Sequence, residues 1–207
     1  MLANRPPFDL VVVAASYGGL AALAKVLESL PGWFSIPIAI VQHLGPAPSS
    51  YLAPILNEAG PLAVDWAHEG DLLEAGRVYV APPGRHLLVD LAHKCVLSDA
   101  ARVNYSRPAA DPLFQSAATS FGARVVAVVL TGRLHDAAAG AAAVRKAGGL
   151  VIAQSPRTCV APGMPCAAID GGSVNFVVDV GTISAMLVSL SLLPRAGAPI
   201  GARRAIA

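Results

Sequence analysis

The chain has 207 residues, enough to bury a single core, and its 55% hydrophobic and 14% charged composition excludes disorder for the bulk of it. A net charge of +2, with no Lys/Arg cluster interleaved with aromatics, gives no case for nucleic-acid binding. The apolar stretches Leu10–Ala24 and Val180–Pro194 are interrupted and too short to span a membrane, and Asp9 with Gly18-Gly19 speaks against a signal peptide, so a soluble cytoplasmic protein is expected.

Leu10–Ala14 reads as a strand. Leu20, Leu23, Leu27 and Leu30 then recur at helical spacing until Pro31-Gly32 stops the helix. Ile36–Gln42 is a second strand, and Ser49–Ala59 a short helix opened by Pro48-Ser49-Ser50. Arg77–Ala81 is a strand closed by Pro82-Pro83-Gly84. His86–Val89 and Lys94–Leu97 form a hairpin expected at the sheet edge. Asp111–Phe121 is a helix with Asp111 as N-cap and Pro112 at its first position. Arg124–Leu130 is the most continuous apolar strand and is expected at the centre of the sheet. An alanine-rich helix over Ala137–Ala147 ends at Gly148-Gly149. A strand over Leu150–Ala153, a short helix over Met164–Ile169, a strand over Asn175–Val178 and a helix from about Thr182 to Leu192 complete the series. We read residues 1–194 as one domain and 195–207 as a flexible tail.

Strands separated by helices predict an α/β fold: a doubly wound, mostly parallel sheet with helices on both faces and an antiparallel edge hairpin. Function in such sheets gathers beyond the carboxyl ends of the strands. Ser16 follows the first strand, His43 the second, and Asp136 the strand over 124–130. A hydroxyl, an imidazole and a carboxylate on one edge are the parts needed for nucleophilic acyl transfer. Gly18 and Gly19 permit a sharp turn whose N–H groups can hold an oxyanion. Each residue also has a plainer use: Ser16 as an N-cap, His43 as a hydrogen-bonded loop residue, Asp136 as the cap of the helix from Ala137. His86 and His135 remain alternative bases on this reasoning, while His68 and His93 read as surface residues. The phosphate-binding alternative fails on detail, because the turn reads A-S-Y-G-G-L rather than G-x-G-x-x-G and no Gly-Lys-Ser/Thr occurs. Cys95, Cys159 and Cys166 lack zinc or redox spacing and read as buried free thiols.

Seven pieces, in order, carry a resemblance. They are AASYGG (Ala14–Gly19), VQH (Val41–His43), YVAPPGRH (Tyr79–His86), NYSRPAADPLF (Asn104–Phe114), VVLTG with Asp136 following, AQ (Ala153–Gln154) and GMP (Gly163–Pro165). Together they resemble the catalytic domain of the chemotaxis protein-glutamate methylesterases, the CheB type. The resemblance implies a catalytic triad of Ser16, His43 and Asp136. It implies methyl-esterified glutamates on the cytoplasmic helices of methyl-accepting chemoreceptors as substrate, glutamine deamidation in many members, and no metal or organic cofactor. Arg107 matches a family arginine near the site. Main-chain groups at Tyr17, Gly18 and the Arg133 loop are the expected oxyanion and substrate-shaping elements.

Three departures stand out. Tyr17 replaces the family's threonine in Ser-Thr-Gly-Gly. The family turn Thr-Gly-Met-Gly-x-Asp-Gly becomes Thr131-Gly132-Arg133-Leu134-His135-Asp136-Ala137, losing two glycines and gaining a charge. The chain also starts at the first catalytic strand, so regulation by an N-terminal phosphoreceiver domain is not expected. The competing readings are a serine hydrolase for another small ester or amide, and a partner-binding module weakened in catalysis by the altered 133–137 loop.

Overall fold

The structure is a computed structural model that describes residues 7–44 and 50–195. Seven strands form one parallel sheet: β1 (Leu10–Ala15), β2 (Ile38–Gln42), β3 (Ala63–Trp66), β4 (Arg77–Val80), β7 (Val125–Val129), β8 (Leu150–Gln154) and β9 (Phe176–Val178), in the order β3-β4-β2-β1-β7-β8-β9. A separate antiparallel pair is made by β5 (His86–Val89) and β6 (Cys95–Ser98). The helices are α1 (Gly19–Glu28), α2 (Leu52–Glu58), α3 (Ala110–Phe121), α4 (Ala138–Lys146), α5 (Gly163–Asp170) and α6 (Val180–Leu192). The expected helix start at Pro48-Ser49 and most of the tail lie outside the described residues.

The alternation within β1 shows how the two layers are made. Val11, Val13 and Ala15 face one core with Leu23 and Leu27 of α1, Leu56 of α2 and Ile183 and Leu187 of α6. Leu10, Val12 and Ala14 face the other, with Leu113 and Phe114 of α3, Val144 of α4 and Met164 of α5. Both faces are covered, so β1 is buried throughout and shows no polar side chain in its sequence. The same burial holds for β7, which is why apolar continuity could not rank the two: β1 occupies the centre and β7 lies beside it.

Three other expectations change. The hairpin is not an edge of the main sheet. It stands as its own two-stranded sheet and docks on α3, where Ser120 Oγ donates to the Val89 carbonyl at 3.0 Å and Ser116 Oγ accepts from the Val89 N–H at 3.1 Å. Strand β3 was not foreseen, because four edge residues with alternating exposure carry too little periodicity. Asp111 is not the N-cap of α3: the helix starts at Ala110, and Asp111 is buried inside its first turn. The side chain that accepts from that helix end comes from far along the chain, as the site shows.

From β1 the chain passes to β2, goes on to the edge at β3, steps back to β4 between β3 and β2, and then crosses to β7 on the other side of β1. The strand order therefore reverses beside β1, and the crevice at its carboxyl end is the topological switch point where open α/β sheets bind ligands.

Candidate active site

Ser16, His43 and Asp136 follow β1, β2 and β7, the three strands that adjoin at this crevice. Two backbone bonds extend the ladder past the strand ends: the Ser16 N–H donates to the Thr131 carbonyl and the His43 N–H to the Ala15 carbonyl, each at 3.0 Å. The side chains meet in a line. His43 Nδ1 is 3.1 Å from Ser16 Oγ, and His43 Nε2 is 2.6 Å from Asp136 Oδ2.

Asp136 is almost fully buried, and both its oxygens are occupied. Oδ2 accepts from His43 Nε2 and from the Ala110 N–H at 2.6 Å; Oδ1 accepts from Asn104 Nδ2 at 2.9 Å and from the Asp111 N–H at 3.2 Å. The two N–H groups belong to the first turn of α3, so Asp136 satisfies that helix end and its charge lies at the favourable pole of the helix dipole. Its expected capping of α4 does not occur; the N-cap position there is Ala137. Burial alone would raise the Asp136 pKa, but the bonds from His43, Ala110 and Asn104 outweigh it and hold the carboxyl at about 2. An ionised Asp136 can only accept, so the proton of the imidazole sits on Nε2 and Nδ1 presents its lone pair to the Ser16 hydroxyl.

Several further residues hold the site together. Asn104 Nδ2 bridges two carboxylates, reaching Asp111 Oδ2 at 2.8 Å as well as Asp136. Asp111 Oδ1 accepts from the Gly140 N–H at 2.6 Å, joining α3 to α4. Gln42 Nε2 donates to the carbonyls of Ser16 and His43, both at 2.9 Å, tying the two strand ends together. The Thr131 hydroxyl lies 3.0 Å from the Tyr17 carbonyl and 3.1 Å from that of Ala161. Asn104, Asp111 and Gln42 all lie within the quoted motif pieces, but motif membership says nothing of which atom bonds which.

The turn after Ser16 depends on Gly18. Its φ of 79° is left-handed, and a Cβ there would stand 2.6 Å from Val160 Cβ, so a side chain is opposed by both conformation and space. The turn that carries Asp136 is built otherwise. Leu134 (φ 64°) and Ala137 (φ 76°) stand where the family pattern has glycine, and both have a left-handed backbone. Holding a residue with a Cβ in that region costs about 1–3 kcal/mol.

Ser16, Tyr17, Gly18, His43, Gln42 and Arg133 line one open cleft with an apolar wall from α1. The Arg133 guanidinium carbon sits 4.1 Å over the centre of the Tyr17 ring. Arg107 lies outside this cleft lining: its Nη1 donates to the carbonyls of Asp99 and Ala100 at 2.8 and 3.0 Å and pins that loop. His135 is exposed and lines a different hollow with Arg102, Asn104 and Tyr105. Buried His86 is occupied by backbone, with Nε2 3.1 Å from the Ala101 carbonyl and Nδ1 accepting from the Ala109 N–H at 3.2 Å. His68 is exposed, whereas His93 is half-buried and stacks on Phe121 at 4.1 Å. All three cysteines are free, but only Cys95 is buried; Cys159 and Cys166 are half-buried. Burial raises the Cys95 thiol to about 12 and that of Cys159 to about 11. Among the described residues no cluster of three His, Cys, Asp or Glu is placed to hold a metal, and no helix is long and apolar enough to cross a membrane.

Comparison with known proteins identifies the family. The family model described as CheB methylesterase matches residues 11–187. A relative from Leptospira interrogans is 35% identical over 183 residues, which cover 88% of this chain and 95% of the relative. A protein-glutamate methylesterase/protein-glutamine glutaminase from Anaeromyxobacter dehalogenans is 43% identical over 183 residues, 88% of this chain and 53% of its own length. The crystal structure of the Thermotoga maritima CheB methylesterase catalytic domain superposes with a TM-score of 0.85 at 34% identity, covering 88% of this chain and 98% of that one. With its fold and its sequence over 11–187 both matching, the chain belongs to the CheB methylesterase family.

Proposed function

We propose that this protein is a serine hydrolase that demethylates glutamate methyl esters, and deamidates glutamines, on the cytoplasmic helices of chemoreceptors or related signalling proteins. The reading places the protein in the cytoplasm, where those helices lie. The observation that carries it is the unbroken line Ser16 Oγ–His43 Nδ1–Asp136 at 3.1 and 2.6 Å on the wall of an open cleft.

Ser16 Oγ attacks the ester carbonyl carbon while its proton passes to His43 Nδ1. The imidazolium is stabilised by Asp136, whose remaining bonds keep the carboxylate in place. The developing oxyanion is held by main-chain N–H groups at Tyr17 and Gly18, which make no backbone bond among the described residues and stand at the start of α1. His43 returns the proton to the leaving oxygen and methanol departs, leaving a glutamyl ester on Ser16. A water then gives its proton to His43 and attacks the same carbonyl, and the glutamate carboxylate and free Ser16 are regenerated. With a glutamine substrate the leaving group is ammonia. General acid–base help of this kind is worth about 10²–10⁴-fold, and one oxyanion donor about 10²–10³-fold.

The test is methanol release from a methylated chemoreceptor fragment, paired with fluorophosphonate labelling. Wild type is expected to release methanol and take up the label, and Ser16→Ala to do neither. Labelling without methanol release would assign the serine to another ester or amide; absence of both would leave a binding module.

A further inference from the structure

We propose that Arg133, held over the Tyr17 ring, is a carboxylate-recognition element that selects substrates bearing an acidic side chain beside the reacting glutamyl ester. The inference rests on the proposed function for the identity of that ester, and on four observations for the rest.

First, the two side chains come from the turns after two neighbouring strands, Tyr17 after β1 and Arg133 after β7, and both line the cleft with Ser16 and His43. Second, the guanidinium carbon lies 4.1 Å from the Tyr17 ring centre, a cation–π contact that uses none of the guanidinium N–H groups, and no hydrogen bond from Arg133 is made among the described residues. Those donors form a fork that matches a carboxylate. Third, no ion pair among the described residues includes Arg133, and no acidic residue lines the cleft. Asp136, behind His43, has both oxygens engaged. Fourth, the element is anchored at the reacting group. The neighbouring Gly132 is so close to the serine that a Cβ there would stand 2.9 Å from Ser16 Cβ, and the Thr131 hydroxyl holds the Tyr17 carbonyl at 3.0 Å.

A cation held on an aromatic ring has lost most of the freedom that a surface arginine gives up on binding, so its pairing with an anion costs less entropy. The cleft thus presents a fixed, unpaired positive group beside the serine against an apolar wall of Leu20, Ala21 and Ala24. The family pattern has methionine and threonine at these two positions, and neither can build this element. The acidic preference therefore belongs to this chain and its like-substituted relatives.

The experiment uses two synthetic helical peptides, each with one glutamate γ-methyl ester, flanked by glutamates in one and glutamines in the other. Binding is read by fluorescence anisotropy on the full chain, and turnover by methanol release. Wild type should bind the acidic peptide about tenfold more tightly than the neutral one at low salt. That ratio should fall toward one in Arg133→Met and at high salt, and stay partly in Arg133→Lys, which keeps the charge without the fork. Tyr17→Thr should lower it by releasing the stack. An equal ratio in wild type and Arg133→Met would overturn the proposal. Because anisotropy needs no chemistry, failure of turnover with the binding ratio intact would count against the esterase reading alone.

Discussion

Two buried carboxylates stand on either side of Asn104 and are driven in opposite directions. Asp136 receives four hydrogen bonds, one from an imidazole, and its carboxyl is held at about 2. Asp111 receives a backbone bond from Gly140 and one from Asn104. Burial raises its pKa, those two bonds oppose the rise, and the neighbouring charge of Asp136 adds to it. Both are buried aspartates; the number of donors differs, and only Asp136 has an imidazole among them. One donor, Asn104 Nδ2, serves both groups, so the pair forms a network in which Asp136 is the ionised acceptor aimed at His43 and Asp111 is the brace between α3 and α4.

The largest expected effect separates their roles. Asp136→Asn should cut kcat by about 10⁴-fold, because an amide can donate to Nε2 and turns the imidazole to the wrong tautomer. Asp111→Asn should stay within about tenfold of wild type, since it touches neither His43 nor Ser16. Methanol release measures both; equal losses would mean that the two carboxylates act as one unit.

Asn104→Ala takes a hydrogen bond from each carboxylate. Bonds to charged groups are worth about 1.5–3 kcal/mol each, so losing the two should lower stability by about 3–6 kcal/mol in urea unfolding, and kcat should fall as Asp136 loses a restraint. Acid unfolding separates these effects, because a freed Asp136 has a higher pKa in the fold and less stability should be lost below pH 4. An unchanged acid dependence would make Asn104 a purely structural brace.

Acid titration sharpens the contrast. Asp136 is depressed on folding, from the usual 3.8 to about 2. Its contribution of about 2 kcal/mol is present above pH 4 and is lost as the pH falls through 2, where the unfolded chain already binds the proton. Asp111 has the opposite sign: its raised pKa opposes folding at neutral pH, and that opposition lifts as the pH falls through its folded value toward 3.8. Unfolding free energy measured from pH 7 to pH 2 should therefore fall less steeply below pH 4 in Asp136→Asn, and lack the upper change in Asp111→Asn.

The smallest effect concerns the turn that positions Asp136 alone. Leu134 is exposed and left-handed, so Leu134→Gly removes backbone strain with little lost packing. It should raise stability by about 1 kcal/mol, seen as a higher midpoint in thermal unfolding. A lower midpoint would show that the leucine side chain contributes more than its backbone costs.

How much of this was readable in the chain differs by element. The helices over 19–28 and 110–121 and the strands over 10–15 and 125–129 show in the sequence because burial imposes a period or an unbroken apolar run. Strand β3 does not, being four residues at an edge, and neither does the separation of the hairpin from the main sheet, which depends on how it docks on α3. The strand-end positions of Ser16, His43 and Asp136 were readable from punctuation, since a parallel sheet puts all such ends on one side. That those three strands adjoin was not, because strand order is a choice among long-range pairings that local pattern does not encode.

The sequence by itself determined the alternation of strands and helices, the family motifs, and the presence of a hydroxyl, an imidazole and a carboxylate after strands. Local propensity and hydrophobic period are properties of neighbouring residues, and they survive without a fold. Only the tertiary structure decided that Asp136 serves the first turn of α3 rather than α4, that Asn104 joins two acids, and that Arg133 rests on Tyr17. Each of these is a contact between groups from separate segments of the chain. Its energy depends on distances that exist only once the sheet has brought β1 and β7 side by side.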